Sequence, residues 1–176
     1  MATIALDLNG YTDLPPGHIA NVVTYLEMAP PASLPEPARS PYRVSRVGAP
    51  SPGWYRAIYR RVGDRWLWVG RAMMDDAALA TWLATPTTEI LAIEEGNEAI
   101  GFAELDWSVA GNLEVAMFGV VAEATGKGAA ALLMQHVQAG ARAEGVARIW
   151  LHLHLRSSGR DPVLSPRRLQ AIQICN

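Results

Sequence analysis

The hydrophobic pattern changes character along the chain. NVVTYLEM (21–28) is rich in β-formers and predicts a strand. APPASLPEPARSP (29–41) is a proline-rich connector, because proline removes a backbone donor and fixes φ. YRVSRV (42–47) alternates and predicts a second strand, which APSPG breaks. WYRAIYRRVG (54–63) puts Trp54, Ile58 and Tyr59 on one helical stripe and arginines on the other, with Gly63 as a stop. DDAALATWLA (75–84) predicts a second short helix with acids in its first turn, where the helix dipole favours negative charge. Between them Trp66 and Trp68 alternate as in an extended segment. With Met73 and Met74 they would wall a pocket or pack in the core.

From residue 89 the pattern is strand-like three times, in EILAIEEG (89–96), EAIGFAELDWSV (98–109) and NLEVAMFGVV (112–121). The joints GN (96–97) and AGN (110–112) are so short that neighbours must run antiparallel, so 89–121 predicts a β-meander. A helix from about Gly128 to Glu144 follows. Leu133, Val137 and Ala141 recur at helical spacing, Leu132 and Met134 widen the stripe, and Gly145 ends it. ARIWLHLHL (147–155) is another strand, and strand, long helix, strand implies a parallel crossover. The expected fold class is α/β of the α+β type, a mixed and mostly antiparallel sheet with flanking helices.

The length of 176 residues and the 50% hydrophobic content suit a single domain with a real core. Its parts would be N-terminal strands and connector (1–53), a core (54–155) and an atypical tail (156–176). The net charge of −2 gives no electrostatic footprint for nucleic acid. Lys127 is the single lysine among 15 Lys and Arg, a mark of GC-rich coding DNA. Cys175 is the only cysteine, so neither a disulfide framework nor a cysteine zinc site is expected. His152 and His154 share a strand face but lack a third clustered ligand, and no metal is expected. His136 reads as a surface residue of the long helix. MATIALDLNG lacks a basic n-region, and no apolar run approaches the ~18 residues of a membrane span. A soluble, cytoplasmic, bacterial-type domain that touches no membrane is expected.

EATGKGAAALLM (123–134) carries the chemistry. Glycine-rich turns that open a helix commonly hold phosphate, because small residues let an anion approach unpaired amides at the helix's positive pole. A Walker loop would need glycine at Val121 and Ser or Thr at Gly128, and fails at both. A dinucleotide fingerprint fails for want of a third glycine and of a preceding parallel sheet. The meander, glycine turn, long helix and strand of residues 89–152 together resemble the GNAT superfamily of N-acetyltransferases. Its pattern there is Gln/Arg-x-x-Gly-x-Gly/Ala. Thr125, Gly126, Lys127, Gly128, Ala129 and Ala130 are set on its six positions; Gly128 and Ala130 match and Thr125 departs. The two upstream helices stand where the family's first two stand.

The resemblance implies a GNAT-like sheet and acetyl transfer from acetyl-CoA to a small-molecule or peptide amine, without a metal. It implies pyrophosphate on the 125–130 turn, and main-chain groups of Phe118 and Val120 toward the pantetheine arm and the acetyl carbonyl, with an N–H near Val120 polarising it. A lysine-like amine costs about 4–5 kcal/mol to deprotonate at pH 7, so a positioned base is needed. Glu114, six residues before Val120, matches the catalytic glutamate of the histone-acetylating branch. Glu104 and Asp106, two apart on the neighbouring strand, are the other carboxylate candidates. The alternatives are a non-catalytic acyl-CoA-binding module and a protein-interaction domain on the same fold.

After Leu153 the resemblance stops. The family continues with a helix bearing an FY-and-GF pattern and a strand hairpin; this chain reads HLRSSGRDPVLSPRRLQAIQICN, with a helical stripe only at LQAIQI. Read one base further on, codons allowed for residues 153–176 spell CTFDHPAAIRFYRRAGFKPYKYA, which contains FYRRAGF. A frame change near the codons for His152–His154 is therefore expected. Loss of the family's hairpin and of its tyrosine implies impaired catalysis. It also implies an unpaired edge at RIWLHLHL, and hence a homodimer or a strand-swapped oligomer.

Overall fold

The computed structural model describes residues 23–36, 39–66, 68–154 and 170–174, with His154 and 170–174 as backbone only. Its strands are β1 (Val23–Met28), β2 (Tyr42–Arg46), β3 (Thr88–Glu95), β4 (Glu98–Asp106), β5 (Asn112–Val120), β6 (Arg148–His154) and β7 (Gln170–Ile174). Its helices are α1 (Pro52–Gly63), α2 (Asp76–Leu83) and α3 (Ala129–Ala143).

Local chemistry sets the boundaries. APSPG both ends β2 and starts α1. Ser51 Oγ accepts the Trp54 amide at 3.2 Å, and Pro52 sits in the first turn, where its missing N–H costs nothing. The α1 helix therefore begins two residues before the predicted start, and Tyr55, Ile58, Tyr59 and Val62 form its buried stripe. Asp75 caps α2 by accepting the Ala78 amide at 2.7 Å. The Trp66–Trp68 alternation is not a strand. Residues Asp64–Trp66 form a 3₁₀ turn, and Trp68 folds back onto Tyr59 and Phe102, with ring centroids 5.5 and 6.3 Å away.

The sheet runs β2-β3-β4-β5-β6-β1-β7. The meander is as read: β2 to β5 pair antiparallel in order, and β6 pairs parallel with β5 through the α3 crossover. The α1 helix lies on the face of β4 that carries Phe102 and Glu104, where Tyr55 meets both. Ala103 and Leu105 point the other way and are also buried, so β4 is covered on both faces, with α3 packed on the second.

Two expectations about the C-terminal half are overturned. The outer edge of β6 is not open: β1 pairs antiparallel with it from Val23↔His154 to Met28↔Ile149. LQAIQI does not form a helix, because Gln170–Ile174 is strand β7 on the far side of β1. A six-residue β-former segment satisfies a bare strand edge by supplying backbone partners, wherever in the chain it comes from. Inter-chain association therefore loses the open β6 edge that motivated it. The remainder of the tail, 155–169 and 175–176, lies outside the described residues.

Candidate functional site

The middle of the sheet is split. Parallel pairing of β5 with β6 covers only Asn112↔Arg148, Leu113↔Ile149 and Glu114↔Trp150. Beyond that, β6 continues along β1 while β5 continues along β4 to Val120↔Gly101. A bulge starts the divergence. Glu104 faces Met117 and Leu105 faces Val115, so Ala116 is the extra residue that bends β5. Residues 115–120 thus offer one main-chain edge with no β6 partner. Phe118 and Val120, half-buried, lie on this stretch. Gly119 is needed beside them, because a Cβ there would meet Val62 Cγ1 of α1 at 2.5 Å.

The free stretch runs directly into the glycine turn. Gly126 (φ 77°) and Gly128 (φ 88°) both hold left-handed backbone, which a side chain disfavours by about 1–2 kcal/mol. The first intrahelical bond of α3 is from the Leu132 amide to the Gly128 carbonyl, at 3.0 Å. The amides of Ala129, Ala130 and Ala131 consequently have no partner within the helix, and no side chain caps it. Thr125 is exposed, and its hydroxyl donates to the Val121 carbonyl at 3.4 Å, so it is spent on the turn. Lys127 is exposed. Elements of this kind, in this order, can hold an extended polar chain along β5 and an anion at the helix pole.

The acetyltransferase (GNAT) family model matches residues 55–159. The chain belongs to this family. No curated protein matches the sequence. A GCN5-related N-acetyltransferase from Sphaerobacter thermophilus superposes with TM-score 0.63 at 15% identity, over 86% of this chain and 49% of that one. A putative GNAT acetyltransferase from Novosphingobium aromaticivorans gives TM-score 0.60 at 18% identity, over 93% and 66%. The ribosomal-protein-S18-alanine N-acetyltransferase of Escherichia coli gives 0.53 at 14% identity, over 66% and 70%. The chain thus spans about half the length of the Sphaerobacter relative, and these likenesses show the GNAT fold.

In this GNAT domain the carboxylates separate into two kinds. Glu104 is fully buried and saturated. It accepts hydrogen bonds from the Tyr55 hydroxyl, from Arg71 Nη2 at 2.7 Å and from Trp82 Nε1 at 3.2 Å. Arg71 lies over the Trp82 ring, 4.0 Å from its centroid, and its buried Nε has no partner among the described residues. Burial acts to lower the Arg71 guanidinium, but the Glu104 hydrogen bond and charge outweigh it, and its pKa is raised. Burial, then the Glu104 charge, pushes the Tyr55 phenol far above its ordinary range. Glu104 is therefore held as one half of a buried ion pair.

Glu114 is different. Its side chain is 22% exposed and lies across the strands from Asp106. Burial first, then the charges of Asp106 and Glu104, raise its pKa above the ordinary carboxylate value, with Arg71 opposing. His152 Nδ1 stands 3.4 Å from Glu114 Oε1. Tyr25 stacks on Trp150 beside it and both rings are tilted against His152, with centroids 6.0–6.4 Å apart. Glu114 thus sits on the α1 face where β5 and β6 begin to part.

The sequence reading missed Arg71 and Tyr55, which lie in a loop and a helix with no spacing that ties them to Glu104. It weighed His152 only as a metal ligand. Among the described residues no group of three or more His, Cys, Asp or Glu converges. His136 is exposed, its Nδ1 3.0 Å from the Leu132 carbonyl. None of the helices described is long and apolar enough to cross a membrane.

Proposed function

We propose that this chain is an acetyl-CoA-dependent N-acetyltransferase acting on an amine by direct attack, with Glu114 as general base. The observation that carries it is the parting of β5 from β6 directly after Glu114. One base candidate, one free main-chain edge and one glycine-led helix terminus then follow each other along nine residues of strand and the turn after it. The free edge at Phe118 and Val120 takes the amide-bearing arm of the co-substrate, and an N–H near Val120 polarises the thioester carbonyl. The amides at the start of α3, with Thr125, Gly126, Lys127, Gly128, Ala129 and Ala130 around them, take the pyrophosphate. Glu114, its proton affinity raised, removes the ammonium proton before the nitrogen attacks. Glu104 holds Arg71 and the 3₁₀ turn Arg71–Met73 against the site.

The two left-handed glycines support a different register for the family pattern. They are spaced as its two glycine positions are, so Gly126 and Gly128 fill them and Glu123 falls on the first position, in place of Thr125. A carboxylate there, where the family carries Gln or Arg, opposes pyrophosphate binding.

Calorimetric titration with acetyl-CoA tests this reading. Micromolar binding that is lost in Gly128→Asp is the expected result, and an amine screen with product detection then separates transfer from binding alone. Absence of binding by the chain, and also by a version in the alternate frame after residue 152, rejects it. Sequencing the gene across the codons for residues 150–156 decides the frame change itself.

A further inference from the structure

The proline-rich connector ends against the glycine turn. Arg39, Ser40 and Pro41, just before β2, form one wall of a cleft of about 210 Å³. Lys127, Gly128, Ala131, Leu132 and Gln135 form the other. The sheet register explains the meeting. Tyr42 opens β2 opposite Glu95 at the end of β3, on the same rim from which β5 exits at Val120 into the turn. A cleft this small is below the roughly 300–1,000 Å³ that encloses a whole small ligand, so it fits one end of a longer one.

Its charge is one-sided. Among the described residues no carboxylate lines it. Six of the arginines in the described residues are in ion pairs, namely Arg43, Arg46, Arg56, Arg61, Arg71 and Arg148. Arg39 and Lys127 form no ion pair among the described residues, yet they come from segments almost ninety residues apart and face one cleft. Two like charges facing one cleft near a helix's positive pole repel, and an anion between them offsets that cost.

We infer that Arg39 is a phosphate-binding residue of the co-substrate site, and that with Lys127 it holds the ribose 3′-phosphate of coenzyme A. This rests on the acetyl-CoA reading above. The α3 amides face the turn and suit the pyrophosphate. The cleft lies one helical turn further along, at Ala131, Leu132 and Gln135, where the next anionic group of the same molecule can reach. Arginine suits a phosphate monoester because its planar guanidinium can donate two parallel hydrogen bonds. The connector thus adds a second side-chain cation to Lys127 of the turn, whose other polar side chains, Thr125 and Glu123, carry no positive charge.

The test is titration calorimetry with coenzyme A and with 3′-dephospho-coenzyme A on the full chain and on Arg39→Ala, with Arg142→Ala at the far end of α3 as the charge control. Arg39→Ala is expected to weaken coenzyme A about tenfold. It should leave dephospho-coenzyme A unchanged, and Arg142→Ala should change neither. An equal loss for both ligands overturns the 3′-phosphate assignment. Unchanged coenzyme A binding by Arg39→Ala overturns the inference and leaves the acetyl-CoA reading standing. Failure of the unaltered chain to bind either ligand removes both.

Discussion

Glu114 and Glu104 are two acids on adjacent strands with opposite fates. A base must be able to lose and regain its proton near the working pH, and Glu114, crowded by Asp106 and partly desolvated, is tuned in that direction. Glu114→Gln is expected to slow acetyl transfer by about 10²–10⁴-fold while acetyl-CoA affinity is kept, as read by steady-state rates beside calorimetry. The acidic limb of kcat/KM should lie above the ordinary glutamate pKa and move to lower pH in Asp106→Asn, because one source of the upward shift is gone. The same sign governs stability. A raised folded-state pKa means that protonated Glu114 favours the fold, and this contribution is lost as pH rises through that raised value. Glu104→Gln should instead cost about 3 kcal/mol by thermal or urea unfolding, because it strands a largely buried Arg71.

At the scale of elements, the turn into α3 concentrates the backbone demands. Gly128→Ala is expected to cost about 1 kcal/mol in stability, because the open space around a Cβ there does not relieve the left-handed φ. Glu123→Gln should tighten acetyl-CoA binding severalfold, with the gain shrinking as salt rises, since it removes an exposed like charge beside the proposed pyrophosphate position. Unchanged affinity would return the pattern to the Thr125 register. Most of this element-level picture was legible. The meander, the crossover and the helices follow from periodicity and joint length; α3 begins one residue after the predicted Gly128 and α1 two residues before the predicted Trp54. The glycine register was not legible, because G-K-G followed by three alanines satisfies the pattern in two ways, and the left-handed φ of Gly126 and Gly128 supports the one proposed above.

For the whole molecule, the decisive feature is β1. Leu26 is its buried anchor, opposite Leu151, and Arg148 pairs with Glu27 at the same edge. Leu26→Ala should cost about 2–4 kcal/mol. Removing residues 1–30 should uncover β6 and increase association relative to the intact chain, as read by light scattering. Monodisperse behaviour of the shortened chain would mean that β1 is dispensable for covering the edge.

The sequence by itself determined what is local in the chain. Alternation of side chains, the lengths of the joints and the glycine turn foretold nine of the elements and the family, because each depends on neighbours a few residues away. Tertiary structure alone decided three things. Residues 23–28 came to close the β6 edge, since strand pairing is indifferent to sequence separation. Glu104 became a buried ion-pair partner while Glu114 stayed partly exposed, since burial depends on which helix covers a strand. Arg39 came to line the same cleft as Lys127, since only the sheet register brings the start of β2 to the rim where β5 ends.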